Sequence, residues 1–109
     1  MGITKTEIFT NEQNQLASML KVLGHPARLA ILNYIIQQDA CICTDIVEEI
    51  GLAQSTISQH LKELKNIGII QGTIEGKSIC YCINEQVWQT IQNDFNGFFN
   101  KPVSANSCC

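Results

Sequence analysis

Residues 44–66 read TDIVEEIGLAQSTISQHLKELKN, and this stretch decides the fold of the chain. Thr44 is suited to the N-cap of a short apolar helix, and Gly51 is suited to end it. A second helix begins near Gln54 or Ser55. Its apolar residues fall at positions i, i+4 and i+7, namely Ile57, Leu61 and Leu64. A helix, a glycine turn and a second helix in about this length predict a helix-turn-helix.

The second of these helices has a polar face of mostly short side chains that form hydrogen bonds. Its members are Gln54, Ser55, Thr56, Ser58, Gln59, His60 and Lys62. Amides and hydroxyls of this kind recognise base edges in the major groove, and cations hold phosphates. An ordinary solvated helix has a similar face, which for an isolated helix is the commoner explanation. The glycine turn before this helix and the β-rich region after it favour binding to double-stranded DNA instead.

The hydrophobic period changes from helical to β-like after Gly68. Two β-rich runs, 69–74 and 78–83, flank Glu75-Gly-Lys77. This pattern predicts a β-hairpin with Gly76 at positive φ in its tip. We expect the hairpin to form a wing beside the second helix, with Lys77 placed to reach a DNA phosphate.

Helical spacing predicts two more helices before this unit and one after the hairpin. Gly24 ends the first helix, and Pro26 is suited to the first position of the second. The residues expected on the apolar face of the second helix are Leu29, Leu32 and Ile36, with Ile35 beside them. The last helix carries the apolar stripe Val87, Trp88, Ile91, Phe95, Phe98 and Phe99. The predicted fold class is therefore mainly α with a β-hairpin wing, a winged helix-turn-helix.

The 109 residues are 45 % apolar and 16 % charged, which is typical of one globular domain. We assign residues 1–10 to a flexible N-terminus, 11–100 to the DNA-binding and dimerisation domain, and 101–109 to a flexible tail that ends in cysteines. No stretch approaches the roughly 20 apolar residues of a membrane span, and no secretory signal opens the chain. We therefore expect a cytoplasmic protein with no membrane contact.

The net charge of −3 argues against a protein that binds DNA by bulk electrostatics alone. Residues 39–49 are locally acidic, whereas residues 54–77 carry three lysines against two glutamates. This distribution permits one small surface that docks on DNA.

Four motifs together resemble the ArsR/SmtB family of winged-helix metal-responsive repressors. They are LKVLGHPARLAIL at 20–32, QSTISQHLKEL at 54–64, GII at 68–70 and EGK at 75–77. The resemblance covers about residues 16–99. It implies a homodimer joined through the first and last helices that binds a palindromic operator and is released by an inducer. The apolar stripe of the last helix agrees, since a terminal helix with such a face is poorly suited to water.

Six cysteines occur in three close pairs: Cys41 and Cys43, Cys80 and Cys82, and Cys108 and Cys109. In a reducing cytosol such pairs indicate metal or redox chemistry rather than a disulfide framework. A small thiol enzyme or a metal carrier is a further hypothesis. An enzyme would need a base near a reactive thiol, but both histidines lie in the fold motif and in the second helix, so we predict no enzyme.

The resemblance implies no single metal site, because members of the family differ in where they bind metal, so each type of site is compared with the residues of this chain. One zinc-sensing type of the family uses Asp and His on the last helix, but residues 85–99 contain no histidine. The arsenic, cadmium and lead type places Cys-x-Cys at the start of the first helix of the helix-turn-helix, as at Cys41 and Cys43. A helix N-terminus favours the thiolate, and soft thiolates bind soft ions. We expect arsenite, As(III), as the inducer, with Cd(II) or Pb(II) as alternatives.

The third ligand of this site is open, because Ile46 stands where the pattern often has another cysteine. Cys108 or Cys109 of the tail would complete three sulfurs. A second interpretation makes the tail pair the main site and leaves Cys41 and Cys43 as packing residues. Cys80 and Cys82 face the same side of a strand, where they form a chelate, pack against the core or stay inert; we favour an inert role. A redox- or sulfide-responsive repressor of the same fold is the alternative function.

Overall fold

The computed structural model of the chain describes residues 8–38, 46–75 and 78–104. Its elements are, in order, α1 (Asn11–Leu23), α2 (Pro26–Ile36), α3 (Ile46–Ile50), α4 (Gln54–Asn66), β1 (Ile70–Glu75), β2 (Ser78–Ile83) and α5 (Glu85–Phe99). This order confirms the predicted winged helix-turn-helix. No helix in the described ranges is long and apolar enough to cross a membrane. The assignment of domain boundaries at residues 10 and 100 stays a prediction.

Side-chain caps explain where the first two helices begin. Thr10 and Gln13 form a capping box in which the Thr10 hydroxyl accepts from the Gln13 N–H at 3.1 Å and the Thr10 N–H donates to Gln13 Oε1 at 3.0 Å. Nδ1 of His25 accepts from the Ala27 N–H at 3.1 Å at the start of α2. Pro26 occupies the first turn of α2, as predicted. The predicted cap Thr44 lies outside the described residues.

Two glycines at positive φ end the two helices of the helix-turn-helix. Gly51 has φ of +81° and donates to the Val47 carbonyl at 2.9 Å. Gly68 has φ of +83° and donates to the Lys65 carbonyl at 2.9 Å. L-residues rarely adopt this conformation, so glycine allows a sharp turn where the helix stops.

The core forms where α2, α4 and the hairpin meet. Its fully buried side chains are Ile31, Ile57, Leu64, Ile69, Ile70 and Cys80. The predicted apolar face of α4, Ile57, Leu61 and Leu64, is confirmed because all three side chains are buried.

The prediction for the buried face of α2 is wrong at two positions. Leu29 is 53 % and Ile36 is 48 % exposed, whereas Ile31 and Ile35 are buried beside Leu32. The helix is apolar on nearly every side, so its period does not select one face. Contacts with α3, α4 and β2 make that selection. Leu29 and Ile36 instead line a cavity of about 410 Å³ with Trp88 and Phe95 of α5.

The hairpin is antiparallel, and its register runs from Ile70 opposite Ile83 to Glu75 opposite Ser78. This pairing confirms the predicted hairpin. Its tip, residues 76 and 77, lies outside the described residues, so the predicted φ of Gly76 and the position of Lys77 stay predictions. The Asn84 N–H donates to the Ile69 carbonyl at 2.9 Å, and the Asn84 side chain caps α5. The hairpin therefore ends directly in the last helix.

The apolar stripe of α5 is only partly covered in a single copy of the chain. Ile91 is buried, but Phe95 is 37 %, Phe98 is 49 % and Phe99 is 64 % exposed. The Phe95 and Phe99 ring centroids lie 4.8 Å apart, and Lys101 Nζ lies 5.0 Å from the Phe98 centroid. A groove of about 530 Å³ separates this end of α5 from α1.

The φ of Gly51 generates a stability prediction. A Cβ at this position meets nothing within 4 Å, so Gly51→Ala tests backbone conformation without a steric clash. We expect Gly51→Ala to lower the free energy of unfolding by about 1 kcal/mol. Gly51→Asn is the control. It should lose less free energy of unfolding than Gly51→Ala, because Asn tolerates positive φ better than Ala does. Urea unfolding measures both, and equal losses for Ala and Asn would contradict the role of φ.

Candidate nucleic-acid interface

One side of α4 presents polar side chains to solvent. Gln54, Ser55, Thr56, Ser58, Gln59 and Lys62 are all exposed, and this set is the polar face of α4. The opposite side is buried in the core through Ile57 and Leu64. The structure therefore brings together six of the eight side chains expected to contact DNA. Lys77 lies outside the described residues.

The expected placement of His60 on the exposed face is wrong. The side chain is only 7 % exposed, and its ring lies within the packed side of α4. The spacing contains the signal, since positions 57, 60, 61 and 64 follow the i, i+3, i+4, i+7 pattern of one buried face. The prediction placed His60 on the polar face of α4 because it followed residue type and not helical position.

Arg28 of α2 holds the His60 ring in place. The Arg28 Nε–H donates to His60 Nδ1 at 3.1 Å, and Arg28 Nη1 donates to the Val22 carbonyl of α1 at 3.1 Å. The ring centroids of His25 and His60 lie 4.4 Å apart. Burial lowers the pKa of His60, and the charges of His25 and Arg28 lower it further.

The first turn of α4 is open to an external acceptor. Ala53 occupies its N-cap position and makes no side-chain cap hydrogen bond. Helices leave their first backbone N–H groups without partners inside the helix, and such groups favour anions. Gln54, Ser55 and Thr56 stand at this end with exposed side chains.

Along the polar face, Gln59 Nε2 donates to Glu63 Oε1 at 3.3 Å, a contact between exposed groups one helical turn apart. Lys62 is exposed on the same face. Lys65, three residues further on, is also exposed and was not among the predicted DNA contacts. Lys65 lies three residues after Lys62, and this spacing places it near Lys62 on the helix surface, so it joins the expected DNA contacts.

The predicted metal ligands Cys41, Cys43, Cys108 and Cys109 lie outside the described residues. Within 8–38, 46–75 and 78–104, no three His, Cys, Asp or Glu side chains group as a metal site would require. Cys80 is fully buried, and both Cys80 and Cys82 are disulfide-bonded. Neither sulfur is a free thiolate in this state, so the pair does not form a chelate here.

Residues 25–71 match the family model described as bacterial regulatory protein, arsR family. The chain is 39 % identical over 69 residues to the HTH-type transcriptional regulator NmtR of Mycobacterium tuberculosis, covering 63 % of this chain and 57 % of NmtR. The chain thus spans less than two thirds of that relative. It is 37 % identical over 68 residues to the transcriptional repressor PagR of Bacillus anthracis, covering 62 % of this chain and 68 % of PagR.

Two further similarities concern arsenical resistance. The chain is 29 % identical over 82 residues to the arsenical resistance operon repressor of Staphylococcus xylosus, covering 75 % of this chain and 78 % of that protein. Among solved structures, a possible transcriptional regulator for arsenical resistance superposes with a TM-score of 0.67. It is 20 % identical and covers 77 % of this chain and 86 % of its own, which supports the fold.

Proposed function

The chain belongs to the ArsR family of bacterial regulatory proteins, and from this premise we propose that it is a transcriptional repressor released from operator DNA by arsenite. Its family consists of DNA-binding transcriptional regulators, not enzymes. The observation that carries the proposal is the polar face of α4, exposed on a helix whose other side is fixed in the core. The protein acts in the cytoplasm, where its operator is accessible.

In this proposal α4 enters the major groove. Ser55 and Gln59 approach base edges, because hydroxyls and amides of this size form hydrogen bonds there without holding the helix out of the groove. Lys62 and Lys77 hold phosphates, with Lys65 as a further cation at the end of the helix. Gln59 has an exposed partner in Glu63, so binding DNA exchanges one solvent-exposed contact for another.

The proposed active species is a homodimer. Phe95, Phe98 and Phe99 leave an apolar patch on α5 that a second copy of the chain would cover. The groove beside it is bordered by α1, so one interface would engage the first and last helices together. Two copies related by a two-fold axis match a palindromic operator.

The proposed inducer site is Cys41 and Cys43, completed by Cys108 or Cys109. Cys41 and Cys43 precede α3 by a few residues in the sequence, so arsenite bound to their thiolates would be coupled to the position of α3, which supports α4. The similarity to an arsenical resistance operon repressor supports this choice among soft ions, with Cd(II) and Pb(II) as the other candidates. Three sulfurs satisfy arsenite, and in this proposal a cysteine of the tail supplies the third.

A thiol redox switch is the second candidate, and the disulfide-bonded state of Cys80 and Cys82 supports it. Oxidation of two thiols to a disulfide gives two electrons and two protons to hydrogen peroxide, which is reduced to water. Cys80 belongs to β2 of the hairpin and its side chain is buried in the core, so a change in its oxidation state would alter the wing.

Substitutions on the polar face of α4 test the DNA-binding surface. Ser55→Ala and Gln59→Ala should each cost about 1–3 kcal/mol of operator binding and relax specificity at one base pair. Lys62→Ala and Lys77→Ala should weaken all sequences alike and reduce the salt dependence. Fluorescence anisotropy with DNA from the chain's own upstream region measures these affinities.

The matched control for the polar face is Gln89→Ala on α5. Gln89 is exposed and donates to Asn93 Oδ1 at 3.2 Å, one helical turn on, as Gln59 does to Glu63. We expect unchanged operator affinity for this variant. If Ser55→Ala and Gln59→Ala bind as tightly as Gln89→Ala, the proposed recognition face is wrong.

Phe95→Glu tests the dimer. The substitution would bury an unpaired charge at the interface, so we expect a shift to monomer in analytical ultracentrifugation at micromolar concentration. Leu52→Glu is the control, since Leu52 is 38 % exposed against 37 % for Phe95 but lies in the turn before α4. A wild-type protein that sediments as a monomer would contradict the proposal.

Cysteine substitutions test the inducer. Cys41→Ser and Cys43→Ser should keep operator binding but lose release by arsenite, where a typical coupling of about 1–3 kcal/mol changes affinity roughly 5- to 150-fold. Truncation after Asn106 should weaken the response to arsenite without abolishing it, because Cys41 and Cys43 would still hold the ion through two sulfurs. The double variant Cys80→Ser/Cys82→Ser should respond to arsenite as wild type does.

Titrations of reduced protein on its operator with arsenite, Cd(II) and peroxide separate the two candidates. Release by peroxide alone, lost in Cys80→Ser/Cys82→Ser, favours the redox switch. If Cys41→Ser and Cys43→Ser are both released from the operator at the arsenite concentration that releases wild type, the sensing site lies elsewhere.

A further inference from the structure

Arg28, in the first turn of α2, connects this helix to α1 and to the middle of α4 through two hydrogen bonds. Its Nη1 donates to the Val22 carbonyl in the last turn of α1, and its Nε donates to Nδ1 of His60 on α4. The Val22 carbonyl needs this donor, because the residue four positions later is Pro26, which has no N–H. The guanidinium therefore supplies the hydrogen bond that Pro26 cannot donate to the Val22 carbonyl. Its Nε–H binds His60 of α4.

The contact with His60 requires a neutral imidazole. A ring nitrogen that accepts a hydrogen bond carries no proton, so the neutral His60 ring bears its proton on Nε2. Protonation at Nδ1 would point an N–H at the guanidinium N–H and break the bond. It would also place a second positive charge beside Arg28, with the His25 ring only 4.4 Å away.

From this geometry we propose that His60 is a positioning residue for α4, and that operator binding requires its neutral form bonded to Arg28. This inference rests on the proposed function. His60 lies directly after Gln59 in the sequence, and its ring is anchored to α2 and, through Arg28, to α1. Loss of this anchor would let α4 rotate or tilt against the core, so the polar face would no longer match the groove.

The charged groups that affect the pKa of His60 all lower it. His25 precedes α2 and Arg28 lies within it, and both disfavour a charged His60. The other helices packed against α4 contribute Glu12 and Lys21 on α1 and Glu48 and Glu49 on α3. On α4 itself the charged residues are Lys62, Glu63 and Lys65. None of these seven residues is among the causes of the shift in the pKa of His60, so no carboxylate offsets the effect of His25 and Arg28.

The direction of the pKa shift fixes the pH window. Burial first, then His25 and Arg28, hold the pKa of folded His60 below its ordinary value of about 6.5. A folded state that binds fewer protons than the unfolded state loses stability as pH falls. The contribution of the Arg28–His60 bond is therefore complete above pH 6.5 and is lost as pH falls through the lowered pKa of the folded state.

Two substitutions of His60 separate positioning from packing. His60→Leu fills the space without an acceptor, and we expect operator binding at about pH 7.5 to weaken about tenfold, as for loss of a bond to a charged group. His60→Asn places an amide oxygen where Nδ1 accepts, but this oxygen does not titrate. We expect His60→Asn to restore most of the affinity lost in His60→Leu.

The decisive readout is operator affinity between about pH 7.5 and 5 at constant ionic strength, with circular dichroism confirming the folded state of each protein. Wild-type affinity should fall by about tenfold more than that of His60→Asn across this range. Both proteins retain His25, so their difference reports His60. Absence of wild-type binding at neutral pH would contradict the proposed function. Wild-type binding at neutral pH with parallel pH profiles for wild type and His60→Asn would overturn this inference alone.

Discussion

The packing of α4 against α2 is the interaction on which the rest of the structure depends. Ile57 and Leu64 on one side and Ile31 on the other are fully buried, and each such side chain contributes about 1.5–3 kcal/mol when removed from water. Rotation of α4 by one residue, about 100°, would bring Ser58 into this contact and expose Ile57. The apolar contact therefore fixes which side chains face solvent, and the exposure of Gln59 and Lys62 follows from it.

Most of the fold could be predicted from the sequence because the local signals are strong where the helices are amphipathic. In α4 the apolar residues occupy one face only, so the sequence predicts the burial of Ile57, Leu61 and Leu64 correctly. In α2 nearly every side is apolar, and the choice of Ile31 and Ile35 over Leu29 and Ile36 is made by neighbours that come from distant parts of the chain. Periodicity in one helix carries no information about those neighbours.

The candidate site divides in the same way. Residue type and helical spacing both predict that the hydroxyls and amides of α4 are exposed. For His60 the two disagree: its residue type favours exposure, whereas its spacing correctly predicts burial. Its burial is possible because Arg28 comes from another helix and meets its Nδ1, a partner 32 residues away that no local pattern reveals. Buried polar groups need such partners, so their positions depend on tertiary structure.

The charge distribution limits where affinity for DNA can come from. The chain carries a net charge of −3, and Glu48 and Glu49 are exposed on α3, beside the helix proposed to enter the groove. These carboxylates repel phosphates on any sequence, so weak binding to random DNA is the expected background. Specific binding then depends on several short contacts made at once by a rigid helix, and on two copies acting together. A protein with a net negative charge has little overall electrostatic attraction to DNA, so it cannot compensate for a poorly placed contact. Every constraint that holds α4 in position therefore raises its affinity for the operator.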